Sequence, residues 1–335
     1  MDRIRIVGGR PLHGTIPISG AKNATLPLMI AGLLSEDTLI LDNVPRLADV
    51  GLLQRILGNH GVDVMVGGKR PGETADHGQT LHISAARIVD TTAPYELVSK
   101  MRASFWVLAP LVARMGEARV SMPGGCAIGT RPVDLLIMAI DRLGAKVEID
   151  GGYVVARAPG GLKGGEIIFP KVTVGGTHTA IMAAALASGT SVIENAAQEP
   201  EIADVALCLN KMGARISGAG TSRIVVDGVA KLHGARHAVL PDRIETGTYA
   251  MAAAMAGGDV LLQNARPELL QAALDVLVQS GASVTATNEG IRIARNGSGL
   301  QPVDVSTAPF PAFPTDLQAQ LMALMTRARG TSHIT

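Results

Sequence analysis

The sequence is short of three things, and each shortage removes a class of protein. Only two cysteines, Cys126 and Cys208, occur in 335 residues. Two thiols do not make a disulfide framework, and the N-terminal MDRIRIVGG lacks the apolar core of a secretory signal, so a cytoplasmic location is expected. Excess charge of either sign is missing, with 30 basic residues against 29 acidic. The chain as a whole is therefore not drawn to nucleic acid or to a membrane surface, and any anion site has to be local. Long apolar runs are missing as well. Stretches such as Thr179–Ala187 are too short and too punctuated to span a bilayer and read as buried helices.

What is present is a globular composition, 47% hydrophobic with 39 glycines, on a chain long enough for two domains. Arg3–Val7 alternates as a strand, Gly8-Gly9 turns and Gly14–Ser19 alternates again, which predicts a hairpin. AKNATLPLMIAGLL then predicts an apolar helix preceded by Lys22 and Asn23, with Pro27 placed where a first turn absorbs it. A strand at Asp37–Leu41 and a second helix at Leu47–Asn59 follow, closed by Gly61.

That order recurs, and a recurrence decides the architecture. The closing glycines are Gly61, Gly144, Gly213 and Gly281; the last two intervals are nearly equal, and the first is longer and carries an insertion. THTAIMAAALASGTSVIENA from Thr177 matches TGTYAMAAAMAGGDVLLQNA from Thr246 almost position for position. A fifth copy begins at Phe313 and reaches Thr335 in its strand, so the expectation is four repeats and a fragment of a C-terminally truncated chain.

Each first helix carries capping side chains near its start: Asn23 or Thr25, Ser104, Thr177, Thr246, and Thr315 with Asp316. Caps can simply stabilise helices. Cations beside them give a second meaning, because Lys22, Arg102, Arg131 and Lys171 all lie close to those starts. If the repeats pack alike, their N-termini and cations gather around one cleft suited to a strongly anionic ligand carrying several phosphates. Met122–Leu136, MPGGCAIGTRPVDLL, puts Cys126 on that approach, with glycines on both sides and Pro132 and Asp134 opening a helix. A free cysteine is commonly a small buried hydrophobe, as Cys208 in IADVALCLNKM reads; arginine and a helix N-terminus make Cys126 a reactive candidate. The eight histidines show no paired metal spacing, and His178 near a helix start reads as structural.

Six segments now carry a resemblance: SGAKNATLPL, TAPYELVSKMRAS, PGGCAIGTRPVDL, ENAAQEPEI, LPDRIETGT and TAPFPAFPTDLQAQ. Across the whole chain the sequence resembles the UDP-N-acetylglucosamine enolpyruvyl transferase family. The resemblance implies an inside-out α/β barrel of two domains built from βαβαββ-type units. One would hold residues 22–240 with the mobile Cys126 loop. The other would hold 1–21, with the N-terminal hairpin, and 241–335, and would be incomplete here. The implied reaction moves the enolpyruvyl group of phosphoenolpyruvate to the 3′-hydroxyl of UDP-N-acetylglucosamine and releases phosphate, the first committed step of peptidoglycan synthesis, with no metal or organic cofactor.

Residue by residue, the resemblance puts phosphoenolpyruvate on Lys22 and Asn23 and its anionic groups on Arg102 and Arg131. The nucleotide sugar falls on Arg131, Pro132, Val133, Asp134 and Leu135, and on Lys171, Thr173, Val174 and Gly175, where some relatives carry serine at Thr173. Asp316 matches a carboxylate near the 3′-hydroxyl, and Cys126 the thiol that protonates C3 and is alkylated by fosfomycin. Catalysis is thus expected from Cys126, Asp316 and Lys22. The related shikimate-phosphate transferase shares the fold, but the PGGC loop argues against it. The alternative of a different class is a truncated or degenerate homologue that binds UDP-sugar, or serves as an interaction module, without turnover.

Overall fold

A computed structural model describes residues 3–67, 78–123, 133–295 and 299–335. The chain divides into two compact units, Met1–Ser19 with Pro241–Thr335, and Gly20–Leu240. After β1 (Leu12–Pro17), the first repeat runs α1 (Lys22–Ala31), β2 (Leu39–Val44), α2 (Ala48–Asn59), β3 (Asp63–Gly67) and β4 (Gln79–Ser84). The second runs β5 (Thr92–Ala93), α3 (Tyr95–Val98), a 3-10 stretch at Arg102–Val107, α4 (Leu108–Met115), β6 (Glu117–Ser121), α5 (Asp134–Arg142), β7 (Lys146–Asp150) and β8 (Tyr153–Arg157). The third has β9 (Glu166–Ile168), α6 (Val174–Ala184), β10 (Thr190–Glu194), α7 (Pro200–Lys211), β11 (Arg215–Ser217) and β12 (Arg223–Asp227). Then come β13 (Ala235–Ala238), α8 (Arg243–Ala256), β14 (Gly258–Gln263), α9 (Gln271–Gln279), β15 (Ser283–Thr287), β16 (Gly290–Arg295), a 3-10 turn at Thr315–Leu317 and α10 (Gln318–Met325).

The described strands form four four-stranded sheets of one design, β13-β2-β4-β3, β5-β6-β8-β7, β9-β10-β12-β11 and β1-β14-β16-β15. Each has a first strand parallel to the central one, and a hairpin antiparallel to it. Repetition therefore shows in the ladders as it does in the sequence. The sheets remain separate, and among the described residues no strand ladder closes a barrel. The closing glycines behave as read: Gly61, Gly144, Gly213 and Gly281 all have positive φ just past a second helix, where any Cβ is strained.

The N-terminal hairpin is not formed. Residues 3–11 have no regular structure, and Ile4, Ile6 and Val7 are exposed, while β1 lies parallel to β14 from Leu12 opposite Gly258 to Pro17 opposite Gln263. Alternation predicts an extended backbone but not its partner, and β14 offers six register pairs that a local turn does not. Pro27 also sits one turn later than expected, inside α1, and removes the donor for the Asn23 carbonyl.

Within the unit Gly20–Leu240, the first helices of repeats one and three lie in the core. Ala24–Ala31 of α1 and Gly176–Ala184 of α6 are buried on all sides, while α2, α5 and α7 bury one face. The C-terminal end of α1 is sealed: the 3-10 turn Gly32–Leu34 is buried, and Arg114 Nη1 donates to the Leu33 carbonyl at 2.9 Å and the Ser35 carbonyl at 3.1 Å. The last strand closes onto the first, β13 pairing with β2, and a polar cluster, buried at His237 and Asp204 and exposed at Lys211, holds it there. His237 Nε2 meets Asp204 Oδ1 of α7 at 2.9 Å, and Lys211 Nζ donates to His237 Nδ1 at 3.2 Å. Asp204→Ala leaves that imidazole buried without its acceptor, so urea unfolding should show a loss of about 3 kcal/mol; a loss under 0.5 kcal/mol would show that the cluster does not hold β13.

Candidate functional site

The expected ligand residues of the second unit lie at helix N-termini, the exposed ends of otherwise buried helices. Lys22 opens α1, its Nζ 3.7 Å from Asp49 Oδ2, and Asn23 beside it is exposed. Arg102 opens the 3-10 stretch that leads into α4. Val133 is buried immediately before α5, whose first residue Asp134 is exposed and whose second, Leu135, is buried. Lys171 is exposed, Thr173 caps α6, its Oγ1 accepting from the Gly176 N–H at 3.2 Å, and Val174 at the helix start is exposed.

Gly175 shows that these ends meet. A Cβ there would lie 3.0 Å from Trp106 Nε1 and 3.6 Å from Leu136 Cδ1, so α6, the 3-10 stretch and α5 converge on one backbone position. The 3-10 stretch also packs against α1. Lys22, Arg102, Asp134 and Thr173–Gly175 thus ride on mutually packed elements. Cys126, Arg131 and Pro132 lie outside the described residues. Asp316 belongs to the other unit, exposed in the turn before α10, where Leu317 packs against Gly247 of α8 and Gln320 Nε2 donates to Thr248 Oγ1 at 3.0 Å.

The capping residues are different from those expected. Thr25, Thr177 and Thr246 lie inside first turns, and their hydroxyls donate back to the carbonyls of Ala21, Thr173 and Asp242 at 2.8, 2.8 and 2.7 Å. Ser104 Oγ donates to the Val98 carbonyl at 3.2 Å, and no side-chain cap bond forms at Asn23 or at Thr315 and Asp316. The helices simply start earlier than their first apolar residues indicate. Thr173 and Asp242 cap instead, Asp242 Oδ1 accepting from Ile244 at 2.7 Å and Glu245 at 3.0 Å.

Sequence reading passed over Trp106, which touches the expected nucleotide segment and stands four residues after Arg102 on the same stretch. It also passed over Asn43, Asn195 and Asn264, left-handed residues at the ends of the central strands β2, β10 and β14. The signal was available as DNV, ENA and QNA at matching repeat positions. Asn43 and Asn195 donate their side-chain amides to Val239 and Phe169 carbonyls at 3.0 and 2.9 Å, tying each connection to the neighbouring first strand. After β6 the chain departs from this pattern, and residues 122–133, with Cys126 among them, take the place of the short asparagine turn.

Residues 6–335 match the model of the EPSP synthase (3-phosphoshikimate 1-carboxyvinyltransferase) family. The chain belongs to the EPSP synthase family. Within it, the chain is 78% identical over all 335 residues to the UDP-N-acetylglucosamine 1-carboxyvinyltransferase of Nitrobacter winogradskyi and 77% identical to that of Rhodopseudomonas palustris, spanning 78% of each relative's length. The fold is that of the enolpyruvyl transferase NikO from Streptomyces tendae, with a TM-score of 0.79 at 21% identity over 98% of this chain and 76% of that one. EPSP synthase from Acinetobacter baumannii aligns with a TM-score of 0.70 at 19% identity, covering 98% and 74% of the two chains. No helix among the described residues is long and apolar enough to cross a membrane.

Burial separates reactive from inert groups. Cys208 is fully buried in α7; desolvation, reinforced by Asp204 and opposed by Lys211, pushes its thiol up to about 12. At pH 8 a soluble alkylating reagent should therefore label Cys208 only after unfolding, read by peptide mass mapping; labelling in the folded protein would contradict this. Desolvation holds His178 down to about 3 and also lowers His60. Above pH 6.5 both states leave these rings neutral. Below it the unfolded chain takes protons that the folded chain refuses, so stability falls as pH drops, by up to about 1.4 kcal/mol per pH unit for each ring. For His178 that window runs from 6.5 down to about 3. Urea unfolding at pH 7, 6 and 5 should show this slope reduced in His178→Phe; an equal slope would contradict it.

Proposed function

We propose that the chain is a UDP-N-acetylglucosamine enolpyruvyl transferase, using phosphoenolpyruvate as donor and releasing phosphate, in cytoplasmic peptidoglycan synthesis. The observation that carries the proposal is identity of 77–78% along the whole chain to UDP-N-acetylglucosamine 1-carboxyvinyltransferases. Transfer to shikimate 3-phosphate is the name of the wider family, but the solved EPSP synthases share only 19% identity with this chain.

In this reading Thr173–Gly175 and Lys171 hold the diphosphate of the sugar nucleotide at the α6 N-terminus, where backbone N–H groups and the helix dipole favour anions. Arg131, Pro132, Val133, Asp134 and Leu135 hold the nucleotide. Lys22 and Asn23, with Arg102, receive the carboxylate and phosphate of phosphoenolpyruvate. The Asp316 carboxylate takes the proton of the sugar 3′-hydroxyl as its oxygen attacks C2, and the Cys126 thiol gives a proton to C3. This yields a tetrahedral adduct. Loss of a C3 proton then restores the double bond as the bond from C2 to the phosphate oxygen breaks, releasing inorganic phosphate. Fosfomycin would stop the cycle by alkylating the Cys126 sulfur.

Phosphate release measured with both substrates tests the proposal. It should require UDP-N-acetylglucosamine, cease after fosfomycin, and fall about a hundredfold or more in Asp316→Ala and Cys126→Ser. Release with shikimate 3-phosphate in place of the sugar nucleotide would contradict it. Binding of UDP-N-acetylglucosamine without phosphate release would favour the homologue without turnover.

A further inference from the structure

Inside α6, among residues buried without interruption from Gly176 to Ala184, stands an imidazole. His178 has no exposure, and neither ring nitrogen has a hydrogen-bond partner. An apolar side chain of similar size would escape that desolvation cost, so stability does not account for a histidine here. What the ring does contact is Trp106, at 5.2 Å between centroids and tilted by 46°, within the range of favourable aromatic pairs.

The other neighbour of Trp106 is the expected nucleotide segment. Its Nε1 and Cε2 lie 3.0 and 3.6 Å from where a Gly175 Cβ would stand. Residues 175 and 178 are three apart on one helix and share a face, so α6 grips the indole twice, with its backbone and with the imidazole one turn on. The indole is carried by the stretch that Arg102 opens, and is half-buried. It is therefore a wedge between the element of an expected anion-binding arginine and the segment expected to hold the sugar nucleotide, and the imidazole fixes its tilt.

We infer that His178, acting through Trp106, is a positioning residue for the nucleotide-sugar segment Thr173–Gly175. The inference rests on the assignment of that segment to UDP-N-acetylglucosamine. Leucine at 178 would fill the space without a ring and let the indole turn away from Gly175; phenylalanine would keep a ring against it.

Trp106 is the one tryptophan of the sequence, so its emission reports its own setting. Calorimetric titration with UDP-N-acetylglucosamine, tryptophan emission and urea unfolding are to be run on the wild type, His178→Leu and His178→Phe. His178→Leu should bind about tenfold more weakly, the scale of one lost aromatic contact, with red-shifted emission and no fall in the urea midpoint. His178→Phe should bind within about twofold of the wild type. Wild-type affinity in His178→Leu would overturn the inference alone, as would a loss of affinity accompanied by a lowered midpoint, which marks a merely structural role. Absence of binding to the wild type would overturn the segment assignment and the inference with it.

Discussion

A helix buried on all sides can exist only where other elements enclose it, and this constraint organises the unit Gly20–Leu240. Ala24–Ala31 and Gly176–Ala184 give no face to water, and their few polar side chains are buried with them, so the second helices and the sheets must wrap them. The wrapping leaves one kind of opening. Lys22, Asn23 and Val174 are exposed at N-terminal ends, whereas the opposite end of α1 is buried and runs into a buried 3-10 turn, where Arg114 bonds the carbonyls of Leu33 and Ser35. Orphan N–H groups, positive dipole ends and cations thus coincide where the core helices meet solvent, and an anionic ligand is the complement of that arrangement.

The repeats supply the frame, and the proposed chemistry draws on a departure from it. Three central strands end in a left-handed asparagine and a short connection; the strand β6 ends instead in residues 122–133. A tight turn held by a side-chain amide serves packing. A longer glycine-bearing segment at the same place carries Cys126 in the sequence, a residue that no other repeat has there.

Much of this was legible in the residues. Glycines at fixed places in the repeats gave the helix ends, because only glycine takes that backbone without strain, and the matching apolar helices gave the repeat itself. Lys22, Arg102 and Lys171 stood out only together, as cations beside predicted helix starts, and Asp134 as a carboxylate suited to a first turn; the structure puts all four at or beside such starts. The hairpin failed because β1 takes its partner from β14, far along the chain, and alternation carries no information on pairing. The caps were misplaced because Thr25, Thr177 and Thr246 bond backward within the first turn, a choice that depends on where the helix begins. Trp106 and His178 were invisible as a pair since their contact is between repeats.

The central claim is that the sugar nucleotide is held by the N-terminal ends of the core helices. A crystal structure of the protein with UDP-N-acetylglucosamine tests it most directly. The account predicts the diphosphate against the backbone of Thr173–Gly175 with Asp134 and Leu135 in contact. A ligand bound elsewhere, with those residues untouched, would contradict it.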